Sequence, residues 1–239
     1  MALMTVAAAP APALAGPSIR ADEIEDVPDI TAEWYRDIVE WADTTPGFVQ
    51  VFMEHFTELS IVLLAAIWAL VFWRTRRGPA RPMAMMLVGG AAVVLSYGLS
   101  EWSKTYLDAE RPCRTFPDLP IIANECPPTG DWSFPSNHST IAAALVAAIF
   151  LVSWRMGLLA LPIGALAAFS RVFVGVHYPH DVMAGFLIGI VVTTIVVLLF
   201  ARPATRLAGS LRERPGLDRL LTAGGPRVRT GGQPAGPRG

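Results

Sequence analysis

The feature that most constrains this chain is a set of long apolar segments with almost no charge. Five can be read from the sequence, at residues 59–73, 82–103, 139–154, 156–173 and 182–201. A helix needs about 20 apolar residues to cross the hydrocarbon core of a bilayer, and the second and fifth segments reach that length alone. Five such runs in one chain favour membrane-spanning helices over the buried core of a soluble protein.

The composition of the chain agrees with this interpretation. Of its 239 residues, 53% are hydrophobic and only 16% are charged, whereas a soluble domain carries about 25% charged residues. The net charge of −1 provides no basic field for nucleic acid, so we expect no nucleic-acid partner. No cysteine or histidine spacing is typical of a metal site, and we expect neither a metal nor another cofactor. We predict an all-α polytopic transmembrane helical bundle of five or six spans.

The arginines predict the orientation of these spans. The link after the first span reads RTRRGPAR and contains no acid, and the segment after the last span is also rich in arginine. Residues 18–58 instead contain eleven acids and two arginines. The positive-inside rule then predicts a multi-pass protein of the cell membrane with a cytoplasmic C terminus. The loops at 104–138 and 175–181 would face the extracytoplasmic side.

The spans divide the chain into four parts. Residues 1–30 are interpreted as a disordered or translocated tail, and whether its start is cleaved as a signal peptide stays open. Residues 31–58 hold a tryptophan-anchored amphipathic helix on the outer membrane interface and lead into the first span; a cap packed on the bundle is the alternative. Residues 59–201 form the transmembrane domain. Residues 202–239 are a cytoplasmic tail rich in arginine, glycine and proline.

Three groups of polar residues stand at the predicted outer ends of the spans. Their chemically capable members are, in chain order, Lys104, Arg111, Ser136, Asn137, His138, Arg171, His177 and Asp181. Each has an ordinary explanation alone, since long cations reach the membrane surface and serine caps helices. Ionisable groups at membrane depth are nevertheless costly and mark functional sites.

Taken together, these residues suit a phosphoryl group. Three cations would neutralise its oxygens, and the helix that begins after Ser136 would add free backbone N–H groups. The two histidines could transfer protons or attack phosphorus. Asp181, four residues after His177, could accept from one imidazole nitrogen and leave the other lone pair free.

In order and spacing the three groups resemble the signature of the type 2 phosphatidic acid phosphatase (PAP2) superfamily, K-x6-R-P, P-S-G-H and S-R-x5-H-x3-D. The resemblance implies an integral membrane lipid phosphatase that needs no metal. It implies that His177 is a nucleophile that becomes phosphohistidine, that His138 is the general acid, and that Asp181 orients His177. The phosphate-binding residues that it implies are Lys104, Arg111, Ser136, Asn137 through its backbone N–H, and Arg171.

One position departs from this signature, because Asn137 stands where the superfamily has glycine. Its side chain would narrow the approach to the phosphate or add an amide donor. The departure resembles bacterial members with Asp or Asn at this position, many of which act on polyprenyl diphosphates. It therefore favours an undecaprenyl or decaprenyl diphosphate, hydrolysed at the outer leaflet.

Several alternatives stay open. Phosphatidate and phosphatidylglycerophosphate are the other candidate substrates within the superfamily. Halide oxidation, which the same residues support in soluble relatives, is disfavoured by the five spans. Outside enzymes, the chain could be a phospholipid-binding or transport protein, although two histidines with an attendant acid exceed what binding requires. Membrane lipids are expected partners, and the sequence does not indicate an oligomeric state.

The two cysteines, Cys113 and Cys126, lie in the same predicted outer loop. Because the extracytoplasmic side permits disulfides, we expect them to be bonded and to rigidify the segment that carries Arg111. Two free thiols are the alternative. Of the remaining histidines, His180 is interpreted as a rim residue and His55 as structural or interfacial.

Overall fold

The computed structural model describes residues 28–213, and every regular element in that range is a helix. In chain order the helices are α1 (Asp29–Asp43), α2 (Gly47–Thr75), α3 (Ala80–Leu107), α4 (Pro112–Thr115), α5 (Asn137–Val152), α6 (Trp154–Phe173) and α7 (Pro179–Arg212). The predicted all-α helical bundle is confirmed. The predictions for the N-terminal tail and for most of the C-terminal tail fall on residues 1–27 and 214–239, outside the described residues.

The five predicted spans correspond to α2, α3, α5, α6 and α7. Four of these are long and apolar enough to cross a membrane, whereas α5 has only 16 residues. Helix α5 packs against the other four, and its residues 139–149 are buried almost without exception. Because protein rather than lipid surrounds α5, its length need not match the bilayer. Between residues 28 and 213 there is no sixth helix of this kind.

The first span starts earlier than the apolar pattern predicted. Helix α2 begins at Gly47 and continues unbroken to Thr75, whereas the apolar segment was read from residue 59. The polar turn that precedes this segment, with Glu54, Thr57 and Glu58, is helical and lies beside the polar cluster described below. Apolarity marks the part of a helix that can face lipid, and the helix itself extends beyond it.

Helix α1 is the predicted amphipathic helix. Its buried face includes Ala32, Tyr35 and Val39, and Tyr35 Oη donates to the Gly175 carbonyl oxygen at 2.9 Å. Its tryptophans, Trp34 and Trp41, are by contrast about half exposed, and Trp41 packs edge-on against Phe173 of the bundle. The helix is therefore packed on the bundle as a cap. Its position at the membrane interface stays a prediction.

Glycines on α7 bring it close to α5. A Cβ at Gly185 would collide with the Ser136 carbonyl oxygen, and one at Gly189 would collide with the carbonyl oxygen of Thr140. No residue larger than glycine fits at these two positions without moving a helix. This close approach places the first turn of α7 against the first turn of α5.

Candidate active site

The three polar groups singled out in the sequence meet at one end of the bundle. The second and third are joined by the Ser136 N–H, which donates to the Asp181 carbonyl oxygen at 3.0 Å. The first and third are joined by Arg111, whose Nη1 donates to the Val176 carbonyl oxygen at 3.0 Å. Segments far apart in the chain therefore form a single polar cluster.

His177 and Asp181 form the buried centre of this cluster. The His177 side chain is 2% exposed, and its Nδ1 lies 3.3 Å from Asp181 Oδ2. The same carboxylate oxygen accepts from the Tyr178 backbone N–H at 2.8 Å and from Ser133 Oγ. Because α7 begins at Pro179, Asp181 lies in its first turn and reaches back to His177. A carboxylate partner requires that Nδ1 carry the proton.

The second ring nitrogen of His177 is left with its lone pair. Its Nε2 lies 3.2 Å from Arg111 Nη1, which can donate to it. Burial lowers the pKa of His177 to about 3; Asp181 opposes this shift, and the charge of Arg111 adds to it. The imidazole is therefore neutral at physiological pH. A neutral imidazole with one unprotonated nitrogen has the form required of a nucleophile.

Arg111 and Lys104 lie side by side next to this histidine. Both are buried, and both contact one carboxylate oxygen, Asp131 Oδ1, at 3.0 Å from Arg111 Nη2 and 3.4 Å from Lys104 Nζ. Arg111 Nε also donates to the Asp131 carbonyl oxygen at 2.7 Å, and Lys104 Nζ lies 3.2 Å from Glu101 Oε1. Two of the three predicted phosphate-binding cations therefore converge on the same point.

The third cation, Arg171, lies in the last turn of α6 and faces α2. Its Nη1 donates to Thr57 Oγ1 at 3.2 Å and lies 3.9 Å from Glu58 Oε1. Its Nε is buried and has no hydrogen-bond partner among the described residues. An unpaired buried donor costs about 1–3 kcal/mol. An anion bound in the cluster would supply the missing acceptor.

His138 lies in the first turn of α5, also faces α2, and is more exposed than His177. Its Nε2 is 3.0 Å from Glu58 Oε1, with side chains 27% and 71% exposed respectively. Glu58 thus approaches both His138 and Arg171. The cluster contains two histidine–carboxylate pairs, one sealed and one open to its surroundings.

The first turn of α5 holds the two remaining predicted residues. Ser136 is the N-cap of α5, so Asn137 is the first helical residue, with its backbone N–H at the positive end of the helix. The Asn137 side chain donates to Glu101 Oε1 and accepts from Ser100 Oγ at 2.7 Å. The predicted effect of this side chain on the phosphate approach stays a prediction. Its amide is bonded to α3, and through Glu101 it is linked to Lys104.

Four further residues of the cluster were not predicted, namely Glu58, Glu101, Ser133 and Asp131. Two signals were available, because Glu101 lies one helical turn before Lys104 and the Asp-Trp-Ser sequence directly precedes the second polar group. Glu58 carries no such signal, since it belongs to a different helix far away in sequence. His180 is more than a rim residue, because its Nε2 lies 3.2 Å from Asp181 Oδ1.

The loop between α4 and α5 is attached to α4 by a disulfide and by hydrogen bonds. Cys113 and Cys126 are bonded, as expected. Arg114 donates to the carbonyl oxygens of Pro127 at 2.5 Å and Pro128 at 2.8 Å.

Within residues 28–213, no three His, Cys, Asp or Glu side chains are arranged to hold a metal ion.

Comparison with known proteins identifies the family. The model of the PAP2 superfamily matches residues 84–204. An undecaprenyl-diphosphatase of Sulfolobus acidocaldarius is 31% identical over 145 residues, which cover 59% of this chain and 64% of that protein. The bacitracin transport permease protein BcrC of Bacillus licheniformis is 31% identical over 60% of this chain and 64% of its own length. The alignments thus span less than two thirds of both relatives.

Other relatives are matched over more of their length. The decaprenylphosphoryl-5-phosphoribose phosphatase of Mycobacterium tuberculosis is 33% identical over 60% of this chain and 75% of that protein. Two solved structures share the fold at 24% identity. Aquifex aeolicus LpxE has a TM-score of 0.57 over 73% of this chain and 98% of its own, and the PAP2 type phosphatidylglycerolphosphate phosphatase of Bacillus subtilis has 0.51 over 77% and 90%. The chain is a multi-pass membrane protein that belongs to the PAP2 superfamily.

Proposed function

We propose that this protein is an integral membrane lipid phosphatase that removes the terminal phosphate of a polyprenyl diphosphate. The observation that carries the proposal is the oriented, neutral His177, whose free nitrogen faces Arg111 in a cluster with two further cations. A binding protein would need the cations alone. A buried histidine held by its own carboxylate is the arrangement used for covalent catalysis.

The reaction begins with attack of His177 Nε2 on the terminal phosphorus. The P–N bond forms while the bond between phosphorus and the bridging oxygen breaks, and His138 gives a proton to the departing lipid phosphate. Water then attacks the phosphohistidine, loses a proton to His138, and releases inorganic phosphate and free His177. Asp181 and Ser133 hold the Nδ1–H side of the nucleophile throughout.

Charge stabilisation would come from side chains that are already in place. Lys104, Arg111 and Arg171 would contact the phosphoryl oxygens, and Ser136 and the Asn137 backbone N–H would add donors from the start of α5. Preorganised donors of this kind contribute most of the rate in phosphoryl transfer, where the protein itself makes few covalent bonds. The unpartnered Nε of Arg171 fits this role.

The names of the relatives support a polyprenyl substrate. Undecaprenyl-diphosphatases of Sulfolobus acidocaldarius and Bacillus subtilis and a decaprenylphosphoryl-5-phosphoribose phosphatase are among them. The second candidate is phosphatidylglycerophosphate, because phosphatidylglycerophosphatase B of Bacillus subtilis is 32% identical over 125 residues. Both candidates are membrane lipids with a terminal phosphate.

The distribution of charge supports an extracytoplasmic site. Helix α3 carries Arg81 in its first turn and Lys104 in its last, so the arginine-rich link before it lies at the end of the bundle opposite the cluster. The cysteine pair lies at the cluster end. Under the positive-inside rule, the cluster would face the outer leaflet and the C terminus the cytoplasm.

Phosphate release by the purified full-length protein tests the proposal. The substrates would be a polyprenyl diphosphate, phosphatidate, phosphatidylglycerophosphate and diacylglycerol diphosphate, each with and without EDTA. We expect the polyprenyl diphosphate to be hydrolysed fastest and EDTA to have no effect. Binding of these lipids without phosphate release would favour a transport or binding protein, and a strict metal requirement would contradict the mechanism.

A further inference from the structure

The carboxylate of Asp131 contacts Arg111 and Lys104, the two cations that would bind the phosphate. Its Oδ1 lies 3.0 Å from Arg111 Nη2 and 3.4 Å from Lys104 Nζ. The two cations are 4% and 7% exposed, whereas the Asp131 side chain is 45% exposed. The anion therefore covers the cations from the solvent side, where a ligand would arrive.

A phosphoryl oxygen and this carboxylate oxygen would compete for the same N–H groups. Carboxylate and phosphate both match the donors of arginine, so either can occupy that position. They cannot share it, because two anions in contact repel each other. Burial alone would raise the pKa of Asp131, but Arg111 and Lys104 outweigh this and hold the pKa below its usual value. The carboxylate is thus ionised under physiological conditions.

The two cations do not depend on this carboxylate for their positions. Arg111 keeps hydrogen bonds to two backbone carbonyl oxygens, those of Asp131 and Val176. Lys104 retains its ion pair with Glu101, whose carboxylate also accepts a hydrogen bond from Asn137. The carboxylate could therefore rotate into solvent and leave both cations ready for another anion.

We propose that Asp131 is an internal competitor for the phosphate position, which gives way to a terminal phosphate and disfavours phosphodiesters. A terminal phosphate carries up to two charges and displaces the carboxylate readily. A phosphodiester, such as the headgroup of an ordinary membrane phospholipid, carries one charge and displaces it less readily. The same competition helps to expel inorganic phosphate after turnover. This inference deepens the proposed function by adding its ligand selectivity.

Equilibrium binding tests the inference without any turnover. The dissociation constant of inorganic phosphate would be measured by calorimetry on the detergent-solubilised full chain, with dimethyl phosphate as the phosphodiester probe. The variant is Asp131→Asn, which keeps the size of the side chain and removes its charge. The matched control is Asp118→Asn, which removes the same charge from an exposed position in the same loop.

We expect Asp131→Asn to bind inorganic phosphate about fivefold more tightly than the wild type, the effect of about 1 kcal/mol of released ion pairing. Dimethyl phosphate should also bind more tightly to this variant than to the wild type, and more weakly than inorganic phosphate to both. Asp118→Asn should behave as the wild type. Unchanged or weaker phosphate binding by Asp131→Asn would overturn the inference.

Folding is checked by thermal unfolding, and Asp131→Ala replaces the Asn variant if the latter is unfolded. Failure of the proposed function is distinguishable from failure of this inference. A protein that binds phosphate in the expected order but releases none from any lipid would refute the phosphatase activity alone. If neither the wild type nor a folded Asp131 variant binds phosphate, the inference itself is wrong.

Discussion

The cluster contains two histidine–carboxylate pairs of the same chemical type in opposite surroundings. His177 and Asp181 are 2% and 0% exposed, and the carboxylate also accepts from a serine hydroxyl and a backbone N–H. His138 and Glu58 are 27% and 71% exposed, and Glu58 belongs to a helix that contributes none of the signature residues. In the first pair the carboxylate oxygen that faces the histidine has three buried contacts, whereas in the second the carboxylate is mostly exposed and approaches only His138 and Arg171.

This difference matches what the two proposed roles require. A nucleophile works from one tautomer and one orientation, so its partner is best buried and fully bonded. A general acid must meet a leaving group that enters with the lipid, and must later act on water. An open histidine with one exposed carboxylate can do this. The proposed roles therefore predict unequal sensitivities of the two pairs to mutation.

The largest effect is expected for His177→Ala. Loss of the nucleophile should reduce phosphate release by at least about 10⁴-fold, as for other covalent catalysts that lose the attacking group. The neighbouring His180→Ala serves as control and should retain activity within about tenfold, since His180 approaches Asp181 Oδ1 and not the Oδ2 that faces His177. Wild-type turnover by folded His177→Ala would disprove the nucleophile assignment.

The comparison itself is tested by a matched pair of variants, Asp181→Asn and Glu58→Gln. Each keeps the size of the side chain and removes the charge beside one histidine. We expect roughly a 10³-fold loss of kcat for Asp181→Asn, because the wrong tautomer of His177 is then favoured. Glu58→Gln should lose about fivefold, the value of an exposed ion pair. Similar losses in both variants would contradict the proposed difference between the pairs.

Removal of the disulfide tests whether the buried His177–Asp181 pair depends on the loop between α4 and α5. The bond closes a segment with a sequence separation of 13, and replacing both cysteines by serine should lower the free energy of unfolding by about 2–3 kcal/mol. Denaturant unfolding in detergent measures this loss. The bonded segment begins next to Arg111 and ends in the loop that contacts Glu54, so KM should rise while kcat is retained. A fall in kcat as large as that of Asp181→Asn would show that the buried pair depends on the loop.

The last expected effect concerns stability alone and is a slope in its dependence on pH. His177 in the folded protein protonates at about pH 3, whereas an unfolded histidine does so at about 6.5. Between these values the unfolded state binds more protons, so the free energy of unfolding falls as the pH is lowered. The contribution of His177 is up to about 1.4 kcal/mol per pH unit. A His177→Gln variant should show a shallower slope between pH 6 and pH 4, and an identical slope would mean that His177 is not buried in its neutral form.

Much of the site could be predicted because its residues lie in three short segments of the sequence. Lys104 and Arg111, or His177 and Asp181, are close enough in sequence that one turn or helix end places them together. The acids that face them could not be predicted in the same way. Glu58 reaches the cluster only through the packing of α2, and no spacing signals its contact with His138. Asp131 precedes the second polar group in sequence, but its contacts with Arg111 and Lys104 depend on the path of the loop. The direction of the Asn137 side chain likewise depends on where α3 lies.

Apolar segments and arginine-rich links are local properties of the chain, and they were sufficient to predict an all-helical bundle and its five spans. The relative positions of those helices along the bundle are not set by local sequence. Glycine contacts between α5 and α7, the central burial of the short α5, and the extension of α2 to Gly47 arise from packing between segments distant in sequence. Free energies of such contacts depend on both partners, so no single segment encodes which histidine is sealed and which is open.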